Sequence, residues 1–203
     1  MDEKQRWNQH YQQSPEQHLP SPCWLLVEYG HLLPVRGQAL DLACGRGGNA
    51  LALARQGLET VAWDISSAAI ASLQALADAM QLQVTAAERD VIADPPEAQG
   101  FDVICVSRYL SRALCPSLAA ALKPGGLLFY QTFTAAGLSH RKKGPTNPDY
   151  LLQPGELPEL FSGLDTMVYI DISDAPVQPG GLAGQAALIA RRRDPGSPAH
   201  NIP

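Results

Sequence analysis

LDLACGRGGNA, Leu40–Ala50, is an apolar run carrying one acid, then a glycine-rich turn, then residues that suit the start of a helix. That order predicts a buried strand that turns tightly into a helix, whose N-terminal N–H groups point at the space above the turn. Gly45 and Gly47 are expected where a Cβ would collide with a ligand. The stretch is a candidate cradle for a nucleotide-like cofactor, weighed against an ordinary strand-to-helix turn.

Gly45-x-Gly47-x-x-Ala50, followed by Asp64 near the spacing of a ribose-binding acid, also fits the dinucleotide fingerprint. Asp41 argues the other way. It sits in the strand before the turn, where a carboxylate repels a pyrophosphate and attracts a cation. S-Adenosylmethionine (SAM) carries an ammonium and a sulfonium, so SAM is expected here, with S-adenosylhomocysteine (SAH) as its product.

The chain has 203 residues, 45% of them hydrophobic, enough for one sizeable core without division into several domains. A net charge of −5 and a pI near 5.5 oppose a broad grip on a nucleic-acid backbone. Cys23, Cys44, Cys105 and Cys115 form no C-x-x-C pair and no zinc-ligand spacing, so no metal or disulfide framework is expected. MDEKQRWNQH lacks an apolar signal core, and no apolar run approaches the roughly 20 residues that span a bilayer. A cytoplasmic protein without membrane or nucleic-acid partners is the expectation.

Strand-like runs alternate with helix-like windows, the pattern of a sheet with crossover helices. Strands are expected near Gln38–Ala43, Thr60–Trp63, Gln83–Ala87, Phe101–Val106, Leu127–Phe133, Thr166–Ile172 and Gly184–Ala190, the last two as a hairpin. Helices are expected at Gly47–Gln56, Ser66–Met80, Pro116–Leu122 and Pro154–Phe161, the third halted by Lys123-Pro124-Gly125-Gly126. Leu138–Pro154 reads as a long irregular loop, with a basic run Arg141–Lys143. Residues 192–203 read as a disordered tail. Trp7 and Tyr11, spaced i,i+4, share a helix face that serves either as a lid or as a plain apolar stripe. His10 and His18 read as surface residues. Residues 1–36 form an N-terminal helical cap in this reading, and 37–191 the cofactor-binding domain.

Five blocks stand in order: LDLACGRGG, VAWDIS, AERDV, FDVICVSRYL and LKPGGLLFYQTF. Together they resemble the class I SAM-dependent methyltransferases, closest to the small bacterial tellurite-resistance type. The resemblance implies an α/β, Rossmann-like, mostly parallel seven-stranded sheet of order 3-2-1-4-5-7-6, the last strand antiparallel, with helices on both faces. It also implies a cofactor set of Asp41, Ala43, Gly45, Arg46, Gly47, Asn49, Asp64, Ile65, Asp90, Val91 and Ser107. Within it, Asp41 and the Gly45–Gly47 turn would face the methionine end, Asp41 directly or through water. Asp64 would take the ribose hydroxyls, Asp90 and the Val91 backbone the adenine amino edge, and Ile65 the ring face. Ala43 departs from the family's frequent glycine. Asp64 as a helix-start acid and Asp90 as a surface acid are the plainer alternatives.

The expected reaction is in-line methyl transfer to a small-molecule acceptor, driven by positioning and exclusion of water. No base stands out. Tyr109, Arg108 and His140 are the candidates near the reacting end, Arg108 either holding an anionic substrate or pairing with a surface carboxylate, Tyr109 either bordering the methyl group or packing in the core. No Asn/Asp-Pro-Pro-aromatic run follows the fourth strand, and neither Cys105 nor Cys115 is placed to attack a base. A protein methyltransferase, a non-catalytic SAM-binding module and, last, an NAD-dependent oxidoreductase are the rivals. Arg141–Lys143, if it binds substrate, would favour an acidic acceptor.

Overall fold

FDVICVS, β4 (Phe101–Ser107), has no polar stripe through its centre, as suits a parallel strand covered on both faces. Its neighbours are β1 (Gln38–Leu42) on one side and β5 (Leu122–Phe133) on the other. Beyond β1 lie β2 (Glu59–Asp64) and β3 (Val84–Glu88); beyond β5 lie β7 (Gln185–Arg191) and β6 (Asp165–Asp171). The order is β3-β2-β1-β4-β5-β7-β6, with β7 antiparallel to both neighbours. This is the order the resemblance implies, and the terminal β6–β7 pair is the hairpin read from the sequence. The computed structural model describes residues 2–13, 18–140, 144–171, 182 and 184–194; Arg141–Lys143, the β6–β7 connection and the expected disordered tail from 195 lie outside the described residues.

Alternation along the central strands separates two layers. Leu40, Leu42, Ile104, Val106, Leu128 and Tyr130 face α5 (Cys115–Ala121) and α6 (Glu156–Leu160). Ala39, Val103, Cys105 and Phe129 face α2 (Trp24–Tyr29), with α3 (Gly48–Arg55) and α4 (Ser67–Ala79) continuing that layer over β2 and β3. All ten strand side chains named are buried. Each fully buried aliphatic among them contributes roughly 1.5–3 kcal/mol relative to exposure. α1 (Glu3–Gln13) differs from every helix of these layers in burying no residue.

Two local expectations need correction. KPGG does not separate a helix from a strand. β5 already starts at Leu122 opposite Phe101, and pairing resumes at Val103 opposite Leu127, so Lys123–Gly126 bulges out of one long strand. Gly125, at φ 78, turns this bulge and donates its N–H to the Arg192 carbonyl at 2.9 Å. Nor is Leu138–Pro154 without structure at its described positions. Thr134 bridges Leu152, Leu151 and Leu152 are buried, and short 3₁₀ turns cover Ala136–His140 and Pro148–Tyr150. Arg112 fastens this segment, donating to both Glu156 carboxylate oxygens and to the Asp149 and Leu151 carbonyls at 2.5–2.9 Å. The periodicity of the sequence misses it because two buried leucines and one arginine replace a repeating stripe.

Candidate functional site

At the β1/β4 boundary the connections leave in opposite directions along the sheet, and open α/β sheets form their binding crevice at such a switch point. A cavity of about 1650 Å³ opens there, lined by the turn after β1, the ends of β2 and β4, the segment after β3, α1, and residues 18–23, 144–147 and 150. It exceeds the roughly 300–1,000 Å³ of a single small-molecule pocket.

The turn after β1 forms its floor. Ala43, Gly45 and Gly47 take φ values of 53, 53 and 78. For Ala43, where the resemblance expects glycine, this left-handed conformation costs about 1–2 kcal/mol. The expected reason for the glycines is only partly right. A Cβ on Gly47 would lie 2.2 Å from Leu73 of α4, and one on Gly48 would lie 2.2 Å from the Ser21 carbonyl oxygen, so both are required by protein packing. A Cβ on Gly45 would lie 2.6 Å from the Tyr11 hydroxyl, across the cavity floor.

Asp64 ends β2 and lines the cavity, though only 7% exposed. Its carboxylate accepts from the Gly45 N–H at 2.8 Å and the Ser66 N–H at 2.9 Å, so it ties the glycine turn to the start of α4. The helix-start alternative is therefore part of what this residue does. Burial raises its pKa, opposed by those N–H donors.

Asp41 stands one layer behind the position expected of it. It is fully buried and absent from the cavity wall, its oxygens accepting from the Ala50 N–H at 2.9 Å and Asn49 Nδ2 at 3.3 Å. Burial pushes its pKa up to about 7, against the pull of those two donors. Asn49 is what reaches the cavity. Its amide also donates to Ser107 Oγ at 2.9 Å, and its Oδ1 accepts from the Cys23 N–H at 2.8 Å. Asn49 thus joins β1, β4 and the start of α2 in one buried junction.

Ile65, Asp90 and Val91 line the far wall. Asp90 Oδ1 accepts from the Ile92 and Ala93 N–H groups at 3.0 and 3.3 Å, shaping the turn after β3. Arg89 stacks over Trp63, 3.9 Å from its ring centroid, and pairs with Asp94 at 2.9 Å.

α1 roofs the site, held by polar contacts. Lys4 pairs with Glu88 at 2.5 Å, and Asn8 Oδ1 accepts from Ser66 Oγ, Ser67 Oγ and the Ala68 N–H at 2.7–3.3 Å. Arg46 donates to the Tyr11 carbonyl at 2.9 Å and lies 5.3 Å from that ring's centroid. Trp7 stacks on Tyr11 at 6.0 Å. The Tyr11 phenol is pushed above its ordinary range by burial, then by Asp64 and Cys44. Trp7 and Tyr11 both line the cavity.

Arg108 and Tyr109 follow β4 into the cavity wall. The Tyr109 carbonyl accepts from the Tyr130 hydroxyl at 3.0 Å. Burial, with Glu3 and Asp90 adding to it, raises the Tyr109 phenol to about 12, which makes it a poor base at neutral pH. His140 ends a 3₁₀ turn, and its side chain lies outside the described residues. His10 and His18 are exposed, as the sequence reading expects, and both stand on the cavity's lining. Asn8, Pro20–Cys23 and Gln185 also belong to the site's framework and carry no sequence signal of it. Gln185 is tied to the floor through Gln131 Nε2 at 3.0 Å, whose Oε1 accepts from the Leu25 N–H at 2.9 Å.

Residues 39–126 match a family described as a methyltransferase domain. A ubiquinone biosynthesis O-methyltransferase of Coxiella burnetii is 33% identical over 98 residues, which are 46% of this chain and 42% of the relative, so the match spans less than half of that protein. Among solved structures, TehB from Haemophilus influenzae has a TM-score of 0.67 at 19% identity, over 83% of this chain and 61% of TehB. A SAM-dependent methyltransferase from Methanosarcina mazei has a TM-score of 0.65 at 16% identity, over 82% of this chain and 97% of that one. At these identities the structural likeness is one of fold.

Proposed function

We propose that this chain, whose residues 39–126 match the methyltransferase-domain family and whose sheet is that of the class I SAM-dependent methyltransferases, transfers a methyl group from SAM to a small-molecule acceptor in the cytoplasm. The observation that carries this reading is the acid-floored cavity at the β1/β4 switch point, large enough for a cofactor and a second ligand. The residues present suit that cofactor. Asp64 lines the floor, Asp41 lies behind it, and after burial it is Asp64 that most opposes negative charge at the Tyr11 oxygen. Such a field favours a sulfonium and an ammonium and disfavours the pyrophosphate of a dinucleotide.

When bound, SAM supplies an electrophilic methyl: an acceptor lone pair bonds to its carbon as the carbon–sulfur bond breaks, the bonding electrons return to sulfur, and any acceptor proton leaves to solvent or a base. In this reading the chain's own residues bind and orient. Asp64 retains lone pairs beyond the two given to Gly45 and Ser66, and accepts from ribose hydroxyls. Asp41 acts through Asn49 and by its charge at the amino-acid end. Ala43, Gly45, Arg46, Gly47 and Ser107 frame that end, while Ile65, Asp90 and Val91 hold the base. Of the expected cap over residues 1–36, α1 and residues 18–23 are the described parts that cover the cavity, and α1 excludes water from the reacting pair. No side chain is assigned as nucleophile, because the leaving sulfur provides the driving force.

Calorimetry with SAM, SAH and NAD tests this directly. SAM and SAH are expected to bind in the micromolar range, with no binding of NAD. Asp64→Ala should weaken SAH by about 1–3 kcal/mol, the loss of charged acceptors from two hydroxyls. Well-folded protein that ignores SAH overturns the reading, and SAH binding unchanged in Asp64→Ala leaves that residue a helix-start acid alone. Release of SAH across an acceptor panel then separates an enzyme from a binding module.

A further inference from the structure

The four arginines on the cavity wall are not equivalent. Arg6 pairs with Glu3 at 3.4 Å and lies 5.7 Å from the Trp7 ring centroid. Arg46 is committed to Tyr11, and Arg89 to Trp63, Asp94 and the Pro95 carbonyl. Arg108 alone has a guanidinium with no hydrogen bond or ion pair to any described residue. Its backbone, in contrast, is strictly held. It takes φ 56, a left-handed conformation that costs a non-glycine residue about 1–2 kcal/mol, and its N–H donates to the Gln131 carbonyl at 2.8 Å. Strain of this kind persists where surrounding structure imposes it, and it concentrates at binding sites. Here it fixes the backbone of an exposed arginine at the end of β4, on the wall of the cavity proposed to hold the cofactor.

The surroundings narrow what that cation receives. Tyr109, Tyr150, Trp7 and Phe133 line the same cavity, offering flat apolar surface. Among the described residues the cavity's acids are already engaged, Glu3 by Arg6, Asp64 by Gly45 and Ser66, and Asp90 by the Ile92 and Ala93 N–H groups. A guanidinium is shaped for a carboxylate, which it takes with two parallel N–H donors. Resting on the methyltransferase reading above, we infer that the acceptor is a small aromatic carboxylate, its carboxylate anchored by Arg108 and its ring lying against the tyrosines. The carboxylate is the handle and another atom of the acceptor takes the methyl group.

The test measures binding to the SAH-loaded protein, so it does not depend on finding the methylated atom. The probes are 2-, 3- and 4-hydroxybenzoate and the three matching hydroxybenzamides, titrated by calorimetry. At least one benzoate is expected to bind about tenfold or more tightly than its amide, equivalent to about 1.4 kcal/mol. Arg108→Gln should erase that preference and Arg108→Lys should restore part of it, while SAH affinity stays within about twofold of the parent. Equal binding of acids and amides by the parent overturns the proposal, as does an acid preference that survives in Arg108→Gln. A collapse of SAH affinity in Arg108→Gln also overturns it, by moving Arg108 to the cofactor. Failure of the parent to bind SAH at all is distinct, since it removes the methyltransferase reading itself.

Discussion

Asp41 shows how far one side chain's environment alters its chemistry. Its ordinary pKa of 3.8 rises to about 7 because burial penalises the carboxylate more than Asn49 and the Ala50 N–H favour it. Between those two values the folded protein holds a proton that the unfolded chain has lost, so stability falls as pH rises through that window, by up to about 4 kcal/mol. Asp41→Asn removes the titration. Near pH 5 the parent is itself the neutral acid, with one carbonyl acceptor as in the amide, so the variant should lie close to the parent in stability there. It should also lack the parent's decline toward pH 8. Urea unfolding at both pH values checks this; parallel slopes in the two proteins would show that Asp41 does not titrate in that range. Glycine at positions 45 and 47 is legible from the sequence, whereas the Leu73 methyls that exclude a Cβ at 47 are not.

At the scale of elements, α1 is the exception. It buries no residue, and exposed ion pairs such as Lys4–Glu88 contribute about 0–1 kcal/mol each. Its attachment rests on Asn8, whose one side-chain oxygen receives three donors at the start of α4. Asn8→Ala should thus leave the thermal midpoint within a few degrees of the parent, since a cap is worth about 1 kcal/mol. The roof, held less firmly, should release SAH roughly fivefold faster in stopped-flow displacement, a loss of about 1 kcal/mol from the closed state. An unchanged release rate would mean that α1 rests on the site without gating it. The Trp7/Tyr11 spacing predicts the helix, but nothing in residues 2–13 announces Ser66 as their partner.

For the whole molecule, the reading is a domain whose sheet carries the site along one edge of its central strands. A ligand that binds only the folded state stabilises all of it together, and SAH at 100 times its dissociation constant should add about 2.7 kcal/mol. For a domain near 200 residues that is a rise of roughly 5–11 °C in thermal midpoint. NAD at the same concentration should leave the midpoint unmoved. A thermal-shift series reads both, and stabilisation by NAD alone would reverse the choice of cofactor. No described helix is long and apolar enough to cross a membrane.

The local grammar of the chain determined most of the fold: apolar runs for β1 and β4, Gly45–Gly47 for the turn, a serine at 66 or 67 as the cap of α4, and two consecutive strands for the antiparallel end of the sheet. These are readable because each depends on neighbours within about a dozen residues. Only the tertiary structure decided which side chains reach the cavity. Asn49 stands before Asp41 because Cys23 and Ser107 fix its amide from both sides, and Arg108 has no partner among the described residues while Glu3, Asp64 and Asp90 of the cavity wall are engaged elsewhere. Those contacts join residues far apart in the chain, and no periodicity along a single strand or helix encodes which distant partner a polar group will meet.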